Sequence, residues 1–174
     1  ARLVLRFSSF EFGPGGRSAV SFVVDMNEAF ENFVVVALRE ALRLSHATFP
    51  QNARGRRLNL DTSGSIGLEP DFSWWGSGRC LFVGDAKYKR LSIAGFKHPD
   101  IYQMLAYMTA ANLRAGLLVY AEGTKPTIEH HLVDGREITV AALDLSAAPD
   151  LVLQEVRVLS RFIREHVLVE AAAA

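Results

Sequence analysis

Cys80 is the only cysteine in the chain, so no disulfide can form within it. Its neighbours Leu81, Phe82 and Val83 are apolar, which points to a buried, reduced thiol and fits a reducing cytoplasm. Metal-binding histidine patterns are missing too: His46, His98, His130, His131 and His166 have no zinc-like spacing, and the adjacent pair would point to opposite faces of a strand. No apolar run reaches the roughly 18 residues of a membrane span, and nothing resembles a signal peptide, so neither a span nor an export signal is expected. Net charge is absent as well, with 19 basic against 19 acidic residues. The total therefore does not advertise a polyanion partner.

What is present reads as one folded domain over residues 1–170. The 174 residues are 49% hydrophobic and 22% charged, without repeats or an internal linker. The start at Ala1 rather than Met points to a fragment, and residues 171–174, all alanine, are expected to be a tail outside the fold. Charge is unevenly spread. Arg54, Arg56, Arg57, Arg79, Lys87, Lys89, Arg90 and Lys97 stand against Asp61, Glu69, Asp71 and Asp85, an excess that suits a phosphate backbone. Within it, Arg54, Arg56, Arg57, Lys89 and Arg90 are weak candidates for DNA contact.

Residues 1–24 suggest a hairpin about Gly13 to Gly16. From Asp25 the apolar period lengthens, and Met26, Phe30, Phe33, Ala37, Leu38 and Ala41 mark a helix to about Leu44, with Asp25 and Glu28 as a capping-box start. A polar stretch, 46–67, precedes two expected strands, 68–75 and 79–88, joined through Gly76, Ser77 and Gly78. Pro99 and Asp100 open a second helix expected to stop at Gly116, and a short apolar strand, 116–121, completes a crossover unit. A hairpin about Asp134 and Gly135 and a covering helix, 149–169, close the chain.

The chemistry concentrates on the two central strands. A three-residue loop would set Trp75 opposite Arg79 and Asp71 opposite Val83, leaving Asp71, Asp85 and Lys87 on one sheet face, a conclusion that a one-residue slip would reverse. Two carboxylates about 5 Å apart repel by roughly 3 kcal/mol at an effective dielectric near 20, a cost that a divalent cation removes. Asp71, Asp85 and the Ala86 backbone carbonyl offer the hard oxygens that Mg2+ prefers, with Mn2+ as a substitute. Lys87 would orient or deprotonate an attacking water. From the residues alone, Glu31 is equally a surface glutamate, while Tyr107 reads more as core packing and Gln103 more as a polar flank residue than as chemistry.

The order helix, three strands, helix, strand resembles the core of the PD-(D/E)xK nuclease superfamily. The runs Asp25-Met-Asn-Glu-Ala-Phe-Glu-Asn-Phe-Val, Pro70-Asp71, Asp85-Ala-Lys-Tyr-Lys89 and Asp100-Ile-Tyr-Gln-Met-Leu-Ala-Tyr107 resemble the nuclease domain of McrC, over roughly residues 1–121. That resemblance implies an α/β, restriction-endonuclease-like fold with a mixed sheet flanked by helices. It also implies a Mg2+-dependent DNA endonuclease leaving 5′-phosphate and 3′-hydroxyl ends, and a GTP-driven AAA+ partner of McrB type. By the same likeness Glu31, Asp71, Asp85, Lys87, Gln103 and Tyr107 are catalytic, with Glu31 joining Asp71, Asp85 and Ala86 around the metal. A homodimer cutting both strands stays open. So do two rivals: a silent module that grips DNA or scaffolds an AAA+ assembly, and a metal-free glycosidase using Glu31 and Asp71.

Overall fold

The computed structural model describes residues 25–52, 56–90, 98–122 and 128–172. The hairpin expected within 1–24, Arg54 and the Arg90 side chain lie outside what is described. In chain order the elements are α1 (Met26–Leu42), β1 (Leu58–Asn59), β2 (Gly67–Leu68), β3 (Phe72–Gly76), β4 (Arg79–Arg90), α2 (His98–Ala111), β5 (Ala115–Glu122), β6 (Ile128–His131), β7 (Glu137–Ala142) and α3 (Pro149–Ala172). A mixed five-stranded sheet, ordered β3-β4-β5-β7-β6, forms the middle layer. β4, β5 and β7 run parallel, while β3 and β6 pair antiparallel at the two edges.

Side-chain alternation divides this sheet between two cores. Phe82, Ala86, Leu117 and Val119 face Val34, Leu38 and Leu42 of α1 and Val156, Leu159 and Ile163 of α3, whose spacing of three and four matches one helical stripe. Val83, Leu118, Tyr120, Ile138 and Val140 face Ile101, Met104, Tyr107 and Met108 of α2. Asp25 caps α1 as expected, its carboxylate accepting the N–H groups of Asn27 and Glu28 at 2.9 and 3.4 Å. Cys80 is a buried free thiol. No described helix is long and apolar enough to cross a membrane.

Three expectations need correction. The strand expected at 68–75 is two pieces: Leu68 pairs with Leu58 in a separate ladder, and pairing with β4 begins only at Phe72. Pro70 has no N–H to give a ladder, which accounts for the break. Helix α2 ends at Ala111, with Asn112 in the left-handed region (φ 53) and the Leu113 N–H returning to the Met108 carbonyl. Gly116 instead lies inside β5, where a Cβ would come within 2.7 Å of the Met104 sulfur. Helix α3 continues through Ala171 and Ala172 because alanine is the strongest helix former. Within the polar stretch, the turn 61–66 is built around Asp61, whose carboxylate accepts the Ser65 and Ile66 N–H groups and is drawn down to about 2, mainly by the Ser63 hydroxyl.

A close approach at Gly84 locks the edge strand. A Cβ there would meet the Phe72 ring at 2.1 Å and the Leu117 carbonyl oxygen at 2.9 Å. Phe72 is fully buried and stacked on Phe49, with 5.7 Å between ring centroids, so it has nowhere to move. Gly84→Ala is expected to cost about 3 kcal/mol through overpacking, read as a lower urea midpoint at unchanged slope. An unchanged midpoint would show that Phe72 repacks freely.

Candidate active site

Two departures from the expected hairpin add up to a shift of two residues, and their sum builds the site. The turn has two residues, Ser77 (φ 50) and Gly78 (φ 81), with Gly76 rather than Trp75 opposite Arg79. Positive φ at both central positions is the geometry that two-residue hairpins favour. A bulge then falls between Trp74 and Trp75, so that Trp75 faces Cys80 while Trp74 faces Phe82. Each change moves the partner of Asp71 by one residue. Continuing the register from Phe72 and Gly84 sets Asp71 opposite Asp85 instead of Val83, with side-chain parity intact.

Asp71 sits just before β3 at a point where β4 has lost its neighbour. The Ala86 N–H, beyond the last β3–β4 pair, donates to Asp71 Oδ2 at 2.7 Å, so the carboxylate stands in for the missing strand. In extended backbone the N–H and C=O of one residue point to the same side, and the Ala86 carbonyl therefore faces the same edge. Asp85 is 1% exposed, and its charge acts on the neighbouring Asp71 carboxyl. Asp85 Oδ2 forms an ion pair with the Lys87 ammonium yet has no well-directed hydrogen bond.

Electrostatics report the strain of this pairing. Burial, then the Asp85 charge, push the Asp71 carboxyl up to about 8. Burial also raises Asp85, against the pull of Lys87. Lys87 would be lowered by burial, but Asp85, Asp71 and Asp100 outweigh that and raise it, so its ammonium keeps its proton at neutral pH. Glu31, half-buried on α1, is raised by burial and by the field of Asp85. It reaches the pair through that field, since among the described residues no three His, Cys, Asp or Glu side chains converge closely enough to hold a metal ion. The oxygens that could hold a cation are accordingly those of Asp71, Asp85 and the Ala86 carbonyl. A buried carboxylate and a half-buried one, both resisting ionisation and one with a poorly satisfied oxygen, suit a hard divalent ion.

These acids, the lysine and the flanking α2 lie in a stretch with a known counterpart. Residues 1–121 match the model of the family described as the McrBC 5-methylcytosine restriction system component. The chain belongs to that family. A search of curated proteins finds no match. Among solved structures, the McrBC-family chain is similar to a chain of the refined half-complex from a tetradecameric assembly of Thermococcus gammatolerans McrB AAA+ hexamers with bound McrC. The two are 19% identical, with a TM-score of 0.56, over 79% of this chain and 33% of that one. This chain thus corresponds to about a third of the matched chain's length.

The remaining candidates are distributed unevenly. Gln103 and Tyr107 contact each other, and the Tyr107 hydroxyl goes to the Glu69 carbonyl rather than to Lys87. Lys89 is engaged by Asp100, with its ammonium 2.9 and 3.0 Å from the two carboxylate oxygens. Arg56 lies over the Trp75 ring at 5.2 Å, while Arg57 is exposed. Sequence reasoning missed Asp100 and Tyr120 as a site-supporting pair. The Tyr120 hydroxyl donates to Asp100 at 2.6 Å, and with Lys89 it holds Asp100 below the usual carboxylate range despite burial. The available signal was a first-turn aspartate followed, on the next strand, by a tyrosine within an apolar run.

Proposed function

We propose that this McrBC-family chain is the cleavage domain or subunit of an McrBC-like restriction system: a Mg2+-dependent endodeoxyribonuclease with a restriction-endonuclease-like, PD-(D/E)xK core. The observation that carries the reading is the convergence of Asp71 and Asp85 on one buried face with Lys87 beside them. Asp71, Asp85 and the Ala86 carbonyl would hold the ion, which when bound supplies Lewis-acid activation of water and neutralises phosphate charge. Lys87 holds its proton at Nζ, so it acts by orienting water and by offsetting charge on the phosphate rather than as a base. Glu31 adds negative potential from the α1 side and favours cation entry.

A side-chain nucleophile is disfavoured by the surroundings. The Tyr107 hydroxyl is committed to Glu69, and burial pushes the Cys80 thiol up to about 12. Direct hydrolysis by water is the simpler chemistry. Arg56 and Arg57 offer backbone contacts to DNA. An McrB-like AAA+ GTPase is the natural partner, supported by family membership and by the similar assembly of McrB hexamers with bound McrC. The cytoplasm is the compartment where such a system would meet foreign DNA.

The test is plasmid cleavage with Mg2+ or Mn2+, by the chain alone and with the McrB-like partner and GTP, each repeated in chelator. Cation-dependent cutting in either mixture is the expected result. If neither mixture cuts and the cations leave the melting temperature unchanged, the silent-scaffold reading wins.

A further inference from the structure

Tyr107 is 4% exposed, yet its hydroxyl has a defined task. It donates to the Glu69 carbonyl at 3.2 Å and accepts the Gln103 side-chain amide at 2.7 Å. Glu69 lies two residues before Asp71, and the intervening Pro70 is buried with its φ locked by the ring, so few free torsions separate the held carbonyl from the carboxylate. Helix α2, which carries both side chains, is itself tied to the sheet at its first turn. Asp100 receives Lys89 from β4 and Tyr120 from β5.

From this chain of contacts we propose that Gln103 and Tyr107 are positioning residues: they hold the 69–71 segment so that the Asp71 carboxylate stays against the Ala86 N–H and beside Asp85, without touching the phosphate. The inference rests on the reading of the two acids as a cation site, and it assigns the helix pair a mechanical role toward that site. The segment has a second tie, from the Asn52 N–H to the Asp71 carbonyl at 3.0 Å. Loss of the hydroxyl should therefore loosen the segment rather than release it.

The Ala86 amide is a reporter of Asp71 that needs neither metal nor DNA, because Asp71 Oδ2 is its acceptor. In Tyr107→Phe, amide exchange at Ala86 measured by NMR is expected to quicken about tenfold, while Leu118 in the sheet centre keeps its protection. Mn2+ affinity by calorimetry should fall about tenfold, and cleavage should recover at high Mg2+. Gln103→Leu should shift both readouts in the same direction by less. Unchanged exchange and Mn2+ affinity with cleavage lost at saturating Mg2+ would place Tyr107 on the substrate and overturn the proposal. Loss of protection at Leu118 as well would overturn it in favour of a global stability role. Faster exchange at Ala86 in a protein whose wild type binds no Mn2+ would uphold the positioning role while removing the cation-site reading.

Discussion

In Asp85→Asn, DNA cleavage under the conditions that support wild-type activity should fall by at least about a thousandfold, the scale of losing one preorganised electrostatic element. The amide keeps the volume of the carboxylate but removes the charge that pairs with Lys87 and would bind the proposed cation. The fold should survive, because Lys87 is 18% exposed and its ammonium can turn to water once its partner is gone. Lys87→Ala should lose activity comparably but be less stable, since it leaves the Asp85 carboxyl buried without its cation. Circular dichroism separates the two causes. Cleavage at near wild-type rate by folded Asp85→Asn would refute this site, whatever the family.

The second large effect runs in the opposite direction. Asp71→Asn should abolish cleavage yet make the cation-free protein more stable at alkaline pH. The carboxyl titrates near 3.8 ordinarily and near 8 in the fold, raised by burial and then by Asp85. Between those values the unfolded chain has released its proton while the folded chain keeps it. Stability in chelator therefore falls as pH rises through this window and levels off above it. The full shift corresponds to about 6 kcal/mol at about 1.36 kcal/mol per unit. Relaxation, and the sharing of one proton with Asp85, reduce the expected gain in the variant at pH 8 to about 2 kcal/mol, or roughly 4–8 °C in melting temperature for a chain of this size. The gain should shrink at pH 5. Added Mg2+ or Mn2+ at pH 8 should stabilise the wild type and leave Asp71→Asn unmoved. If the variant melts lower than the wild type in chelator at pH 8, the carboxylate pair is not under strain.

Together these variants describe a site that the fold tolerates at a cost. Asp71, Asp85 and Glu31 all resist ionisation, and one lysine beside three acids does not neutralise them. Such an arrangement costs stability in the free protein, a cost that the proposed cation would relieve. Its nearest supports, Tyr107 through Glu69 and Asp100 through Lys89, come from α2, so the helix that covers the second core also sets the geometry of the acids.

Local periodicity made much of this protein legible before any coordinates. The α1 stripe, the Asp25 cap, the parallel crossover from β4 through α2 to β5, and the hairpin at Gly135 follow from patterns only a few residues long. Strand parity likewise put Asp85 and Lys87 on one face, since side chains alternate whatever the partner strand, whereas the place of Asp71 beside them depended on register. Tertiary structure decided which residues meet across that face. The two-residue turn and the bulge at Trp74 and Trp75 each shift the register, and only their sum restores the face while bringing Asp71 to Asp85. The destination of the Tyr107 hydroxyl, 38 residues away along the chain, and the capture of Lys89 by Asp100 were equally beyond local pattern. Partners so distant in sequence are selected by the packing of whole elements, whereas helical period, turn chemistry and alternation are properties of the chain at each point along it.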